Sequence, residues 1–199
     1  MKKNTGFTLI ELMIALAILG ILLAVGLPSL KSFMQSSQTV ASTNELIAAF
    51  NVARSEAIKR NISVTICEST NGKACAGSGS DNWQDGWVMF VDSNTDQKGT
   101  KVKCTDSNIG TDCLLVTRES FGDDLLGISG VDINTSAVIS STTFNSRGLP
   151  KSNSGASQAG NFSICSLDTS GNTINSRAVV LSLTGRVRAS DNAAVITCP

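Results

Sequence analysis

Two arginines near the carboxyl terminus, Arg186 and Arg188, have the residue type and spacing of a phosphate-binding pair. The stretch from Gly185 to Arg188 is typical of a turn that leads into a strand, so both arginines should project from one face while Val187 points inward. Guanidinium groups form paired hydrogen bonds with phosphates, and a few such contacts give weak, salt-sensitive binding that is independent of base sequence. The sequence therefore predicts a small phosphate-binding surface. Three further basic residues are candidate neighbours: Arg147, Lys151 and Arg177.

Charge is distributed unevenly along the chain. The 199 residues include 16 basic and 16 acidic side chains, so the net charge is zero. Residues 31–144 carry nine basic and thirteen acidic side chains, whereas residues 145–199 carry five basic and two acidic ones. This balance excludes a uniformly basic nucleic-acid binder but allows one cationic edge. The alternative role for the two arginines is to keep a hairpin soluble or to contact an adjacent subunit.

No pattern in the sequence indicates catalysis or a bound metal. The chain has no histidine, which removes the commonest general base and a common metal ligand. Residues 92–96 place oxygen ligands at alternate positions, as a calcium loop does, but Gln97 stands where that loop needs glycine and Lys103 where it needs glutamate. The acidic pair Asp123 and Asp124 has no activated nucleophile or complementary base beside it. We therefore expect no enzyme activity, no metal and no cofactor.

The six cysteines are expected to form disulfides. None belongs to a C-x-x-C motif and no histidine is present, so zinc is a poor fit and an oxidising compartment is implied. Six cysteines allow fifteen connectivities. We favour pairing between neighbours, which gives Cys67 with Cys75, Cys104 with Cys113, and Cys165 with Cys198.

The elements that must position these residues begin with a long apolar stretch. Two lysines precede Gly6, and from residue 7 to residue 27 the only charged side chain is Glu11. As a helix, these residues would rise about 31 Å, which matches the hydrocarbon thickness of a bilayer. We expect residues 7–29 to span a membrane with the lysines on the cytoplasmic side. A carboxylate in such a helix costs about 2.5–3.5 kcal/mol, so Glu11 needs a partner or a position shallow enough to reach the interface.

Residues 2–12 resemble the amino-terminal signature of type IV prepilins and pseudopilins, with basic leader, Gly6, Phe7 and Glu11 in order. The resemblance implies that residues 1–6 are a leader, that a prepilin peptidase in the inner membrane cuts between Gly6 and Phe7, and that the new amine on Phe7 is methylated. It also implies that Glu11 pairs with the amino terminus of a neighbouring subunit. An ammonium and a carboxylate attract strongly in a low dielectric, which is consistent with that role.

Beyond this segment, residues 30–61 are predicted to continue the helix as an amphipathic spine. Apolar residues recur at spacings of three and four, so the helix should reach about Arg60. Pro28 should kink this helix rather than end it. The charged residues of the spine are expected to form a solvated face: Glu45, Arg54, Glu56, Lys59 and Arg60.

Residues 62–199 are predicted to form a head of mainly antiparallel sheet. Short runs rich in Val, Ile, Thr and Phe alternate with loops rich in Gly, Ser and Asn. Loops are predicted at 69–81 and 151–160, and a long insertion at 93–112. The predicted strands are 63–67, 86–92, 114–119, 138–144, 161–166, 177–184 and 187–197.

Three stretches of the head, residues 83–92, 144–148 and 179–188, resemble the GspH/FimT group of minor pilins and pseudopilins. The resemblance implies an α+β type IV pilin fold, in which a long amino-terminal helix packs on an antiparallel sheet. Trp83, Trp87 and Phe90 are expected to be core aromatics that fix a strand against the helix.

The G-R-x-R element resembles one found in FimT proteins, where it is associated with DNA binding during uptake by transforming bacteria. The resemblance as a whole implies a minor type IV pilin that takes part in pilus assembly, close to the tip, and that binds double-stranded DNA through Arg186 and Arg188. Its partners would be the prepilin peptidase, the inner membrane and other major and minor pilins, and its head would face the periplasm before assembly. The alternative is a type II secretion pseudopilin resembling GspH, which binds protein partners and no DNA.

Replacing Glu11 by alanine should leave membrane insertion intact and weaken incorporation into filaments, because the carboxylate that pairs with the neighbouring amino terminus is lost. Membrane fractionation measures the first effect, and the amount of the protein in sheared pili measures the second. Equal incorporation of the wild type and Glu11→Ala would contradict the assigned role.

Overall fold

The computed structural model describes residues 8–77, 79, 81–96, 102–105, 111–122 and 126–198. The chain divides into two compact units, Met1–Gln38 and Thr39–Pro199. One helix, α1 (Leu9–Arg60), contributes to both units and ends at the predicted residue. Since it continues through position 28, Pro28 does not end it.

The first unit consists of the amino-terminal part of α1. The hydroxyl of Thr8 accepts a hydrogen bond from the backbone N–H of Glu11 at 3.3 Å, which caps the first turn. Large apolar side chains from Leu9 to Leu23 and from Leu30 to Met34 are exposed in the isolated chain, as is Glu11. Among the described residues, no helix has both the length and the hydropathy needed to cross a membrane. The membrane-spanning role of residues 7–29 stays a prediction.

The second unit combines the rest of α1 with two antiparallel sheets. The five-stranded sheet has the order β3-β2-β1-β5-β6, and the four-stranded sheet has the order β4-β7-β8-β9. The strands are β1 (Val64–Glu68), β2 (Trp87–Val91), β3 (Cys113–Arg118), β4 (Leu126–Asp132), β5 (Ser141–Phe144), β6 (Pro150–Lys151), β7 (Gly160–Leu167), β8 (Thr173–Leu181) and β9 (Val187–Ser190). The α+β architecture expected from the sequence, a long amino-terminal helix with a head of antiparallel sheet, is confirmed.

Helix and sheets share one hydrophobic core. One stripe of α1 supplies buried side chains at spacings of three and four, as an amphipathic helix requires. The ring of Phe50 lies 4.7 Å from Phe162 of β7, 6.0 Å from Trp83 and 6.4 Å from Phe144 of β5, measured between centroids. Phe50 therefore contacts both sheets. The buried residues of the helix stripe are Leu46, Ala49, Phe50, Ala53 and Ala57.

The expectation that three aromatics pack against the helix is correct for Trp83 and Trp87 and wrong for Phe90. Trp83 and Trp87 belong to the core that contains Phe50. Phe90 packs with Cys67 and Val88 in a separate cluster. Because side chains alternate between the faces of a strand, Phe90 lies on the opposite face of β2 from Trp87.

Strand β4 was not predicted, and the predicted last strand was too long. Gly130 weakens the strand signal of β4, but a Cβ there would lie 2.8 Å from the ring of Phe162, so packing requires glycine. The side chain of Asp81 accepts a hydrogen bond from Gly130 N–H at 2.9 Å. Burial raises the pKa of this carboxyl group.

Strand β9 ends at Ser190, seven residues before the predicted end of the last strand, and it is followed by a short 3-10 helix, Ala193–Val195.

The predicted solvated face of the spine is partly wrong. Glu45 forms an ion pair with Arg118 of β3, and Glu56 pairs with Arg60 at 2.6 Å. The hydrogen bond from Arg60 is the main reason why the pKa of Glu56 lies below its usual value. Arg54 is half-buried and has a different environment, described below.

All six cysteines form disulfides, in the pairing of neighbours expected from the sequence. The bonds join Cys67 to Cys75, Cys104 to Cys113, and Cys165 to Cys198. The third bond fastens the carboxyl-terminal segment to β7. Hydrogen bonds support it, since Thr197 N–H donates to Ser163 Oγ at 2.8 Å.

Replacing both Cys165 and Cys198 by alanine should destabilise the head by about 3–4 kcal/mol, because this bond closes a loop of 33 residues in the unfolded chain. Urea denaturation of the full chain in detergent measures the loss. The matched control removes Cys104 and Cys113, which are 9 residues apart, and should cost roughly 1 kcal/mol less. Equal losses for the two variants would contradict the loop-length argument.

Candidate functional site

The two predicted arginines lie on the hairpin that joins β8 to β9. Ser182 N–H donates to the carbonyl of Arg186 at 3.0 Å, and Gly185 N–H donates to the carbonyl of Ser182 at 2.8 Å. Residues 183–185 form the loop of the hairpin. Gly185 closes it in the left-handed conformation, with a φ of +77°. The hairpin predicted at this position is confirmed.

The hairpin presents both arginines to solvent. Leu181 of β8 faces Val187 of β9, and Val180 faces Arg188. Val187 packs against the hydrophobic core, whereas Arg186 and Arg188 are exposed. Because they stand at alternate positions, the two guanidinium groups leave the same face of the sheet.

A second turn, residues 145–148, lies directly against this hairpin. Gly148 has a φ of +74°, and its N–H donates to the carbonyl of Asn145 at 2.7 Å. A Cβ on Gly185 would collide with the carbonyl oxygen of Gly148. The two backbones therefore touch at their glycines, which brings the turn of exposed Arg147 against the turn of Arg186.

Helix α1 lies beneath the junction of the two turns. A Cβ on Gly148 would lie 3.0 Å from Arg54 Nε and 2.8 Å from Ile58 Cδ1. A Cβ on Gly185 would lie 3.1 Å from the same nitrogen of Arg54. The site thus combines three segments: the helix at residue 54, turn 145–148 and hairpin 182–186. Sequence reasoning assigned Arg54 to the solvated face and missed it.

Two of the candidate neighbours have other partners. Arg177 pairs with Asp191, with 3.1 Å between Nε and Oδ1. It stands five residues before Ser182, about 17 Å along an extended strand, and on the opposite face from Val180 and Arg188. Lys151, the last residue of β6, donates a hydrogen bond from Nζ to Ser157 Oγ at 3.3 Å. Arg177 is therefore not part of the junction.

Carboxylate pairing separates the seven arginines into two groups. Arg60, Arg118 and Arg177 each form an ion pair with a carboxylate. The other four have no carboxylate partner among the residues that the structure describes, and they lie at or beside the junction. These unpaired arginines are Arg54, Arg147, Arg186 and Arg188.

Three carboxylates meet elsewhere in the head. Oxygen atoms of Asp92, Asp96 and Asp112 lie within 4.8 Å of one another. Asp92 is buried and accepts a hydrogen bond from Thr65 Oγ1 at 2.7 Å, and Asp112 accepts two from Ser93. Asp92 and Asp112 therefore each accept hydrogen bonds from neighbouring side-chain or backbone donors. The sequence-predicted residues Gly6, Phe7, Asp123 and Asp124 lie outside the described residues.

Residues 42–185 match the family model described as "Type II transport protein GspH". The chain belongs to the GspH family. Residues 1–27 of this GspH-family protein also match the prokaryotic N-terminal methylation motif. The two matches include β1 to β8 and the hairpin as far as Gly185, and they leave out residues 28–41 of α1 and strand β9.

The amino-terminal part is similar to pilins. Over 48 residues, 24% of this chain, it is 50% identical to the type IV major alpha-pilin of Moraxella bovis, of which 30% is covered. A fimbrial protein of Pseudomonas aeruginosa is 42% identical over 55 residues, which are 28% of this chain and 36% of that protein. The chain thus spans about a third of the length of these curated relatives.

Solved structures with a similar fold include the type IV minor pilin FimU of Pseudomonas aeruginosa, with a TM-score of 0.49 at 18% identity, covering 79% of this chain and 92% of FimU. The minor pseudopilin EpsH from the type 2 secretion system of Vibrio cholerae has a TM-score of 0.44 at 10% identity, covering 77% of this chain and 96% of EpsH. Because both scores lie below 0.5, the assignment to the family rests on the GspH family model.

Replacing Gly185 by alanine should destabilise the head by about 2–4 kcal/mol, because a left-handed backbone disfavours a side chain and the Cβ collides with Gly148. Thermal unfolding measures the loss. Gly171 is the matched control, since it has a φ of +82° but no atom within 4 Å of a Cβ. Its alanine variant should lose only about 1 kcal/mol. A loss at Gly185 no larger than that at Gly171 would show that the two turns do not touch.

Proposed function

We propose that this GspH-family chain is a minor type IV pilin that takes part in pilus assembly. The match to the N-terminal methylation motif supports cleavage between Gly6 and Phe7 by a prepilin peptidase, followed by methylation of Phe7. The similarity to pilins over the amino-terminal segment supports insertion in the inner membrane through residues 7–29. The processed chain then joins other major and minor pilins at or near the tip, and Glu11 pairs with the amino terminus of a neighbouring subunit.

The second proposed role is capture of double-stranded DNA for uptake in natural transformation. The observation that carries it is the set of exposed arginines on two touching turns, Arg147, Arg186 and Arg188, without a carboxylate partner among the described residues. Elsewhere in the chain, Arg60, Arg118 and Arg177 are neutralised by carboxylates. Unpaired guanidinium groups on a solvent-exposed edge can bind phosphates without first breaking an ion pair.

Binding of this kind is independent of base sequence. The three arginines permit two or three phosphate contacts, and each contact releases counterions from the DNA. The logarithm of the affinity should then fall with the logarithm of salt concentration with a slope of about −2 to −3. Because the net charge is zero, the chain as a whole does not attract DNA, and the proposed binding depends on this local group of arginines.

A second candidate function follows from the description of the matched family, which names a type II transport protein. A secretion pseudopilin would use the same amino terminus for assembly and its head for binding protein partners. DNA binding separates the two proposals, because a pseudopilin would not need unpaired arginines at the junction.

Replacing both Arg186 and Arg188 by glutamine should lower the affinity for a 30-base-pair duplex at low salt by about 100-fold or more, since hydrogen bonds to charged groups contribute about 1.5–3 kcal/mol each. Fluorescence anisotropy with the full chain in detergent measures the affinity. The melting temperature should stay nearly unchanged because both side chains are exposed.

The matched control replaces Lys73 and Arg177 by glutamine, which also removes two positive charges but leaves the hairpin intact. This variant should bind DNA almost as the wild type does. If both variants lose affinity to the same extent, net charge rather than the hairpin drives binding, and the proposed DNA site is wrong. Equal affinity of the wild type and the hairpin variant would have the same consequence.

A further inference from the structure

Arg54 of helix α1 contacts both cationic turns from below. Its Nε is the shared neighbour of the two glycines, 3.0 Å from a Cβ on Gly148 and 3.1 Å from a Cβ on Gly185. Its Cγ and Cδ also lie within 3.4 Å of those positions. The aliphatic stem therefore fills the space under the junction and directs the guanidinium group to the place where the turns meet.

The charge of Arg54 has no counter-charge in the described chain. Its Nε is shut off from solvent and has no hydrogen-bond partner. Arg54 as a whole is half-buried, but a polar atom that is shut off from solvent, as its Nε is, normally has a hydrogen-bond partner. Other cations near the helix follow that rule, since Arg60 pairs with Glu56 and Arg118 with Glu45.

Three segments that each carry an arginine therefore meet at this junction. Arg54 comes from the helix, Arg147 from turn 145–148, and Arg186 from the hairpin, with no carboxylate partner for any of them among the described residues. An anion bound at the junction would reduce the repulsion among these positive charges and would supply a hydrogen-bond acceptor for Arg54 Nε.

We infer that Arg54 is a further phosphate-binding residue, which joins the turns of Arg147 and Arg186 in one site for a phosphate group of the DNA backbone. This inference rests on the proposed DNA-binding function and adds a residue of the spine helix to it. The backbone phosphate is bound where the two turns touch, while Arg188 contacts the next part of the strand. The helix thereby becomes part of the DNA site.

The test compares Arg54→Met with Arg54→Lys in the full chain in detergent. Methionine keeps much of the stem and removes the charge, whereas lysine keeps the charge. For Arg54→Met, DNA affinity at low salt should fall about tenfold, and the magnitude of the salt slope should fall by about 0.9. Arg54→Lys should restore the slope, which a purely structural role of the stem would not do.

Arg60→Met is the control, since Arg60 lies on the same helix and is paired with Glu56. It should leave the salt slope unchanged. The inference is overturned if Arg54→Met keeps the wild-type affinity and slope. It is also overturned if the Met and Lys variants lose affinity equally while both melt at a lower temperature, because Arg54 would then act only through packing.

Inorganic phosphate provides a readout that needs no DNA. A ligand that binds the folded state raises its melting temperature, so phosphate should protect the wild type more than chloride does at equal ionic strength, and Arg54→Met should lose this protection. If phosphate raises the melting temperature of the wild type but the chain does not bind DNA, the phosphate site is supported and the DNA-binding function is wrong. If Arg54→Met binds DNA with the affinity of the wild type, the DNA-binding function is supported and the inference about Arg54 is wrong. Absence of both effects would overturn both.

Discussion

The burial of Phe50 between two sheets is the contact on which the rest of the head depends. One stripe of the helix and one face of each sheet are apolar. Exposing any of these surfaces to water would raise the free energy of the folded chain. The ring of Phe50 touches Phe162 from one sheet, Phe144 from the other and Trp83 from the connecting loop. Because interiors are close-packed, the volume of this side chain limits how closely the helix and the two sheets can approach one another.

The same core positions the cationic junction. Arg54 follows Phe50 by four residues, so the two side chains leave neighbouring positions on one face of the helix. Gly148 follows Phe144 by four residues, and Gly185 follows the buried Leu181 by four. Each of the three segments of the junction therefore lies four residues after a buried side chain of the core. The glycines allow the backbones to touch, and the stem of Arg54 occupies the remaining space.

The two proposed roles, filament assembly and DNA binding, both involve residues of helix α1. Glu11 of the amino-terminal signature lies in the first part of the helix, and Arg54 lies in its second part. A rigid head is needed if exposed guanidinium groups are to hold a fixed spacing against a phosphate backbone. The disulfide between Cys165 and Cys198 adds to that rigidity, because it ties the segment after β9 back to β7.

Much of the fold could be predicted because its signals are local. The end of α1 at Arg60 follows from apolar spacing, and the hairpin at Gly185 follows from one glycine between two apolar runs. The predictions were wrong where packing in the folded head overrode the local structural preference of the residues. Strand β4 contains Gly130 because Phe162 leaves no room for a side chain, and Phe90 faces away from the helix because of its position in the alternation of β2.

The sequence by itself determined the amino-terminal signature and the arginine pair of the hairpin, since each depends on residues within a few positions of one another. Only the tertiary structure decided which arginines are neutralised. Arg177 has Asp191 beside it, whereas Arg147 and Arg186 come together through a contact between Gly148 and Gly185. Electrostatic energy depends on distances in space, and residues 54, 147 and 186 become neighbours only after the helix and both sheets have packed around Phe50.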